Sequence, residues 1–541
     1  MPVPPAPDLI IVNARVWTAG ARASDADAVA VAGDRILAVG ARAEVERLRS
    51  PAAEIVDAGG RFLMPGFGDA HVHLMTGGAQ LDQVDLRDAP SPAEFARRIG
   101  ERARQSGPGE WVLGGNWDEH AWPGAPLPTR DIVDAVAPDT PVFVHRYDEH
   151  MSLANSVALR LAGVTGATPD PPGGAILRDG QGRPTGLLKD AAQRLAASVI
   201  PPADAARRAR TLRRALAYLA AHGVTSVQDM GPDPDDVAVY AEAAERGQLT
   251  ARIRAVPLER ALAEQLAGGA PGPSAAPGTP FFRVGGAKGF ADGSLGSSTA
   301  LFFEPYSDAP GWRGLLSDEM QPLDRMRDRL VAIDRAGEQL CIHAIGDRAV
   351  SMVLDLFADV ARANGPRDRR FRVEHSQHLV PADFERYAAL GVIASVQPCH
   401  AIDDGRWAEP RIGAERARTA FAFRSFLDHG VRLAFGTDWP VAPIDPLRTV
   451  YAAVTRATLD GRRPGGWVPG QKVSVAEALE AYTRGSAHAE FAEREKGTIA
   501  AGMLADLVLL SDDPFRVAAE DLRRLTVELT LVGGKIVHRR P

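Results

Sequence analysis

The 541-residue chain contains only two cysteines, Cys341 and Cys399. That excludes a disulfide framework, and a reducing, cytoplasmic setting is the simplest reading. Neither cysteine belongs to a CxxC pair or a Cys-rich zinc motif. Cys341 lies in an apolar strand-like run, where inert packing is the expected role. No apolar run approaches the ~20 residues that span a bilayer, so no membrane association is expected. The opening Met1 to Pro7 lacks a basic stretch followed by an apolar one, and no signal peptide is expected. Positive charge is not in excess: 62 Lys and Arg face 69 Asp and Glu, a net charge of -7. This argues against nucleic acid as the main partner, though not against a local basic patch. No internal repeat or long low-complexity tract is evident.

What is present is the composition of a globular protein, 45% hydrophobic and 24% charged. The length allows one large α/β barrel with accessory elements, or two or three smaller domains. Residues 8–16 read as a strand. Residues 28–32 and 35–39 read as a hairpin through Gly33-Asp34. A strand at 505–510 and a hairpin at 527–537 through Gly533-Gly534 mirror them at the other end. Residues 1–63 and 488–541 are therefore expected to form one composite β-sandwich, with residues 64–487 inserted between its halves.

That middle alternates strands and helices. Strands are predicted at 62–70, 223–229, 251–258, 282–291, 339–345, 370–376, 391–397 and 431–437, with helices such as 204–222 and 318–337 between them. About eight such units imply an α/β fold, a parallel (β/α)8 barrel, with functional groups at the strands' C-terminal ends. The gap after the first strand is too long for one crossover. Residues 76–200, rich in Pro and Gly, are read as an inserted subdomain over the barrel mouth.

The predicted strand ends carry the chemistry. Within Gly66-Phe67-Gly68-Asp69-Ala70-His71-Val72-His73, the two histidines sit at i and i+2 and share a face of a strand. Two such imidazoles can grip a metal, or can be ordinary histidines at a strand end. Lys288 follows in an apolar, glycine-rich strand. His343 and His375 end the next two, and Asp438 ends the last. Four imidazoles, a lysine and an aspartate thus converge on one barrel mouth, and together they point to a metal site.

These motifs resemble the amidohydrolase superfamily of metal-dependent hydrolases, and more narrowly its amidohydrolase 3 branch, which includes the YtcJ-like proteins and N-substituted formamide deformylases. The likeness runs through Met64 to His73, Trp117 to Pro128 with Leu127 to Arg130, Asp148-Glu149-His150, and Lys288 with Asp292 to Gly296. It continues in His343 to Asp347, Glu374-His375, Gln397-Pro398 with His400, Gly436 to Asp438, Lys496 to Ile499 and Ala505-Asp506. The resemblance implies that His71, His73 and Asp438 bind one divalent metal and that His343 and His375 bind a second. An N-carboxylated Lys288 would bridge them. Without carboxylation, Lys288 would form a salt bridge, to Asp292 for example, beside a single metal. Zinc is the default ion; Mn, Fe, Co or Ni are also accepted by such donors.

The implied reaction is hydrolysis of a carbon–nitrogen amide or formamide bond in a small molecule by metal-activated hydroxide, with Asp438 as proton shuttle. A deaminase or an esterase/lactonase on the same centre is the alternative, and a non-catalytic metal-binding scaffold the rival of another class. His150 and His400 are placed to hydrogen-bond an oxyanion, or merely to hold structure. Trp117, Trp122 and Trp439 are read as walls for an apolar substrate group, or as packing. Asp347, Glu374 and His378 are expected to orient ligands. The expected partner is a small-molecule amide, and a homodimer would fit the family.

Overall fold

A computed structural model describes residues 6–19, 25–107, 109–122, 124, 126–275 and 278–541. Residues 1–5 of the N-terminal segment, and residues 123 and 125 of the Trp117 to Pro128 motif, lie outside these.

The two ends of the chain pair with each other. Leu9–Val12 lies between Ala28–Ala32 and Glu54–Asp57, and Arg35–Gly40 completes a four-stranded sheet drawn wholly from the N-terminal side. A second sheet runs in the order Arg15–Val16, Phe62–Pro65, Leu507–Leu510, Val527–Val532, Lys535–Arg539. Its centre joins the termini: Phe62–Pro65 is antiparallel to Leu507–Leu510, with Leu63 opposite Leu509. The alternation of strand side chains sends Leu9 and Ile11 into one apolar cluster with Leu63, Leu507 and Leu531 of the second sheet. Ile10 and Val12, on the other face, pack instead with Val45.

The stretch predicted as one strand over 62–70 is two. Phe62–Pro65 belongs to the terminal sheet, and Phe67–Val72 opens the barrel. Gly66 marks the break, because a Cβ there would come within 2.2 Å of the Thr225 side chain.

The barrel strands follow in order: Phe67–Val72, Val224–Met230, Arg252–Val256, a fourth in two pieces, Leu340–Ala344, Arg372–His375, Ile393–Val396 and Leu433–Phe435. All pairings among them are parallel. The fourth, predicted over 282–291, is split by Gly285-Gly286 into Phe282–Val284 and Ala287–Phe290. Gly286 has φ +84°, which takes it out of the extended region. The first piece pairs with the third strand and the second with the fifth. The expected single (β/α)8 ladder is therefore a barrel-like pair of parallel sheets, meeting at the isolated bridges Leu258–Lys288 and Val72–Trp439.

Helices cover the sheets. Ala205–Ala221 is capped by Asp204, whose side chain accepts from the Arg207 N–H, and it buries Leu212, Ala215, Leu216 and Leu219 at helical spacing. Leu323–Arg335 fills the other predicted helix. Among the described residues, no helix is long and apolar enough to cross a membrane.

After the first barrel strand, the chain builds a separate six-stranded sheet, whose strands run from Val84–Asp85 to Pro184–Asp190. It has its own core of Phe95, Ile99, Trp117, Trp122, Leu153 and Leu187. The connection between its strands Val142–Arg146 and Met151–Ala154 brings Tyr147, Asp148, Glu149 and His150 over the barrel's C-terminal end.

Candidate metal centre

The first barrel strand ends by placing His71 and His73 side by side, their rings 5.5 Å apart. Parallel neighbours bring the later strand ends to the same point. The His71 ring lies 4.8 Å from that of His375, and the His375 ring 4.5 Å from that of His343. Lys288, fully buried, puts its Nζ 3.5 Å from His71 Nε2. Asp438 closes the group from the eighth strand. Its Oδ1 is 3.5 Å from His71 Nε2 and 3.3 Å from His73 Nε2, and its Oδ2 is 3.8 Å from His375 Nδ1 and 3.9 Å from His400 Nε2.

Two donor triads share Asp438: His71 and His73 in one, His375 and His400 in the other. All six residues read from the sequence as metal ligands thus gather at one place. His400, read as an oxyanion donor, stands beside them as a further donor.

Three of the imidazoles are oriented from behind. His71 Nδ1 donates to Glu374 Oε2 at 2.7 Å, which leaves its Nε2 lone pair facing the cavity. His343 Nε2 donates to the Gly293 carbonyl at 3.1 Å, and His375 Nδ1 to Gln397 Oε1 at 2.9 Å. Burial holds His71 at about 4, with Lys288 adding to the effect, and pushes His343 and His375 well below the ordinary value. These three are neutral donors at neutral pH. At His73, burial works in the same direction, but Asp438 outweighs it and the net shift is upward.

Burial also raises the Asp438 carboxylate, yet the imidazoles of His71 and His73 win and keep it ionised. Its Oδ1 is buried with no hydrogen-bond partner. Lys288 is depressed by burial, partly offset by Glu374 and Asp438. No ion pair joins it to Asp292, whose oxygens accept the backbone N–H groups of Leu301, Ile345 and Gly346. A buried carboxylate whose Oδ1 has no hydrogen-bond partner, set among the imidazole nitrogens of His71 and His73, fits a divalent cation.

The cavity above these groups is about 200 Å³. Tyr147, Asp148 and His150 of the insertion form its roof, with Phe290, Gln377 and Val441 among its walls. His150 Nδ1 lies 2.6 Å from Asp190 Oδ1. Burial disfavours its charge, but that contact outweighs it and lifts His150 to about 9, so it is cationic at neutral pH. The buried Nε2 of His400 has no hydrogen-bond partner.

Other residues read from the sequence fall elsewhere. Trp117 and Trp122 stack 6.3 Å apart in the insertion's own core, with the Trp122 N–H on the Ala89 carbonyl. Trp439 packs on Tyr218 and over Gly77, where a Cβ would come 2.4 Å from its ring. None of the three lines the cavity, so the structure places them as packing residues rather than substrate walls. Asp347 accepts from the Phe303 backbone, and both ring nitrogens of buried His378 lack partners; neither orients a ligand. Of the expected orienting residues, Glu374 alone touches one, through His71.

Two supporting residues had no role assigned from the sequence. Asp69 Oδ1 accepts the His71 and Thr437 N–H groups, and its Oδ2 accepts the Thr437 hydroxyl, tying the first barrel strand to the eighth. Its place two residues before His71, on the same strand face, was the available signal. Gln397 is the other, and only the fold shows that it faces His375. A third acidic group, Asp118, Glu119 and His120, is matched by Arg146 and Arg406 and needs no cation.

A barrel-like parallel fold with this donor set at its strand ends defines a metal-dependent hydrolase of the amidohydrolase type. The chain belongs to the amidohydrolase family, third branch, whose model matches residues 54–538. It is 37% identical to Protein LONG AFTER FAR-RED 3 of Arabidopsis thaliana, over 98% of this chain and 91% of that protein. It is 32% identical to an N-substituted formamide deformylase of Arthrobacter pascens, over 98% of each. The crystal structure of an uncharacterized metal-dependent hydrolase from Pyrococcus horikoshii superposes with a TM-score of 0.76 at 29% identity, covering 95% of this chain and 99% of that one.

Proposed function

We propose that the chain hydrolyses a carbon–nitrogen amide or formamide bond of a small molecule at this cavity, with Asp438 as the proton shuttle. The observation that supports it is the Asp438 carboxylate, buried, ionised and without a hydrogen-bond partner on Oδ1, with Oδ1 toward His71 and His73 and Oδ2 toward His375. His71, His73 and Asp438 would hold one ion, and His343 and His375 a second. Lys288, carboxylated on Nζ, would bridge them. Zinc is the first choice, with Mn, Fe, Co or Ni accepted by the same donors. Such a metal supplies a water of lowered pKa and polarises a carbonyl oxygen.

The chain's own residues do the rest. Asp438 takes the proton of the attacking water and returns it to the leaving nitrogen. Cationic His150 donates to the developing oxyanion, and His400 serves as a second donor or as a further ligand. Burial of Lys288 favours the uncharged amine that carboxylation requires. The cavity, at about 200 Å³, fits a small acyl group and sheds bulk water. The substrate is a small molecule rather than nucleic acid, and the donors named here all come from one chain, with which a homodimer is compatible.

The test is a panel of N-formyl amides, N-acyl amino acids, cyclic amides, lactones and aminated heterocycles, assayed on zinc-, manganese- and cobalt-loaded protein. Turnover of amides or formamides supports the proposal. Turnover confined to lactones or aminated rings replaces it with the esterase or deaminase reading. Metal-loaded protein that turns over none of them, activated esters and anilides included, is a scaffold. About two ions per chain are expected by elemental analysis; one ion with unmodified Lys288 removes the bridged pair.

A further inference from the structure

At the opposite end of the barrel, the loops that precede its fourth, fifth and sixth strands enclose another cavity of about 460 Å³. Arg254, Arg283, Arg367, Asp368, Gln339 and Glu490 line it. Most of its charges are matched. Glu490 is taken by Lys496 and, at 2.6 Å, by Arg283. Asp368 is held by Arg370 at 2.9 Å. Arg367 pairs with Asp334 and donates to the carbonyls of Gly337 and Glu338.

Arg254 is different. It is 5% exposed, and only its Nη1 is engaged, donating to Gln339 Oε1 at 2.8 Å and to the Ala489 carbonyl at 3.3 Å. Among the described residues, no carboxylate bonds to it, and its other N–H groups have no partner. Burying a guanidinium without an anion is costly. Here the buried cation lines a cavity where three guanidiniums face two carboxylates, Glu490 held by Arg283 and Lys496 and Asp368 by Arg370, and neither carboxylate bonds to Arg254. Walls of low dielectric concentrate that positive potential.

We infer that this cavity binds a small organic oxyanion, a carboxylate or a phosphate, received by Arg254 and by Arg283, which meets Glu490 through Nη2. A guanidinium presents two parallel N–H donors that match either oxyanion. The cavity is larger than a bare ion needs and lies within the roughly 300–1,000 Å³ of small-molecule pockets, so the anion can carry an organic body. The site is independent of the hydrolytic centre, because Arg254 touches none of the cluster around Asp438.

The test is calorimetric titration of the metal-loaded full chain with acetate and, separately, with inorganic phosphate, at constant ionic strength. Saturable binding of at least one is expected, and the two arms tell which oxyanion is preferred. Arg254→Met should weaken it by ~10-fold or more, the scale of a charge-assisted hydrogen bond, and Arg254→Lys should retain part of it. A purely structural arginine would lower the melting temperature and leave the isotherm unchanged. Equal binding by wild type and Arg254→Met assigns the anion to the metal centre and overturns the proposal, as does no binding of either anion. Should Arg254→Met not fold, Arg283→Gln decides, since that side chain is 40% exposed at the rim. A weaker isotherm supports the site, and an unchanged one overturns it.

Discussion

Asp438 and His343 sit in the same cluster but carry separable duties. Asp438 offers one oxygen toward His71 and His73 and the other toward His375 and His400. Asp438→Asn keeps the size and one oxygen but removes the proton acceptor. Turnover should fall at least ~10²-fold while most of the metal stays bound. His343→Ala deletes an imidazole and puts nothing in its place, so metal content should fall first and activity with it. Measuring turnover and metal content on both variants separates the roles. Near wild-type turnover in metal-bound Asp438→Asn would move the base to His400, since cationic His150 has no lone pair to accept the proton.

At the scale of elements, Glu490 joins the end of the last helix, Ser486–Ala489, to Arg283 of the fourth barrel strand and to Lys496 before the terminal sheet. Burial raises its carboxyl, but Lys496 and Arg283 outweigh that and hold it at about 2, below the ordinary 4.5. The folded state therefore binds the proton less readily than the unfolded chain. The stabilisation is full above pH 4.5 and is lost as pH falls through 2. Glu490→Gln leaves the buried Lys496 without its carboxylate, and the more exposed Arg283 without its partner, and should cost roughly 3–5 kcal/mol at pH 7. Thermal unfolding of both proteins from pH 7 to pH 3 checks this. The gap should narrow below 4.5, and a gap constant with pH would show that the pair is not the source.

For the molecule as a whole, the terminal sheet is the test of unity. Leu507–Leu510 lies between Phe62–Pro65 and Val527–Val532. Asp506 grips Arg252 of the third barrel strand at 2.7 Å, and the Thr530 hydroxyl reaches the Ala220 carbonyl. Deleting residues 505–541 would bare the edge of Phe62–Pro65, expose Leu9, Ile11 and Leu63, and leave Arg252 without its carboxylate. The truncated chain should be insoluble or lack cooperative unfolding, read by sedimentation and circular dichroism. Soluble, fully active truncated protein would show that the barrel stands without the terminal sheet.

Local chemistry made part of this legible in the sequence. His71 and His73 share a face because strand side chains alternate, and Gly33-Asp34 and Gly533-Gly534 signal hairpins because tight turns need residues that tolerate positive φ. The gathering of Lys288, His343, His375 and Asp438 could be read because parallel strands end on one side. What the sequence could not hold was anything set by contact between distant segments. Whether a tryptophan faces substrate or packs depends on what lies across from it, and Trp117 and Trp122 found Phe95 and each other. The break at Gly285-Gly286, which divides the barrel ladder, looked like glycine within a strand until its two halves paired with different neighbours. Gln397, and the hold of Asp69 on Thr437, acquired their roles only when folding brought His375 and Thr437 within hydrogen-bond reach, whereas Glu374 was already expected to orient a ligand. Periodicity and turn chemistry are local and can be read along one chain. Burial, pairing and the orientation of a ligand are relations between residues hundreds of positions apart, and the tertiary structure alone decides them.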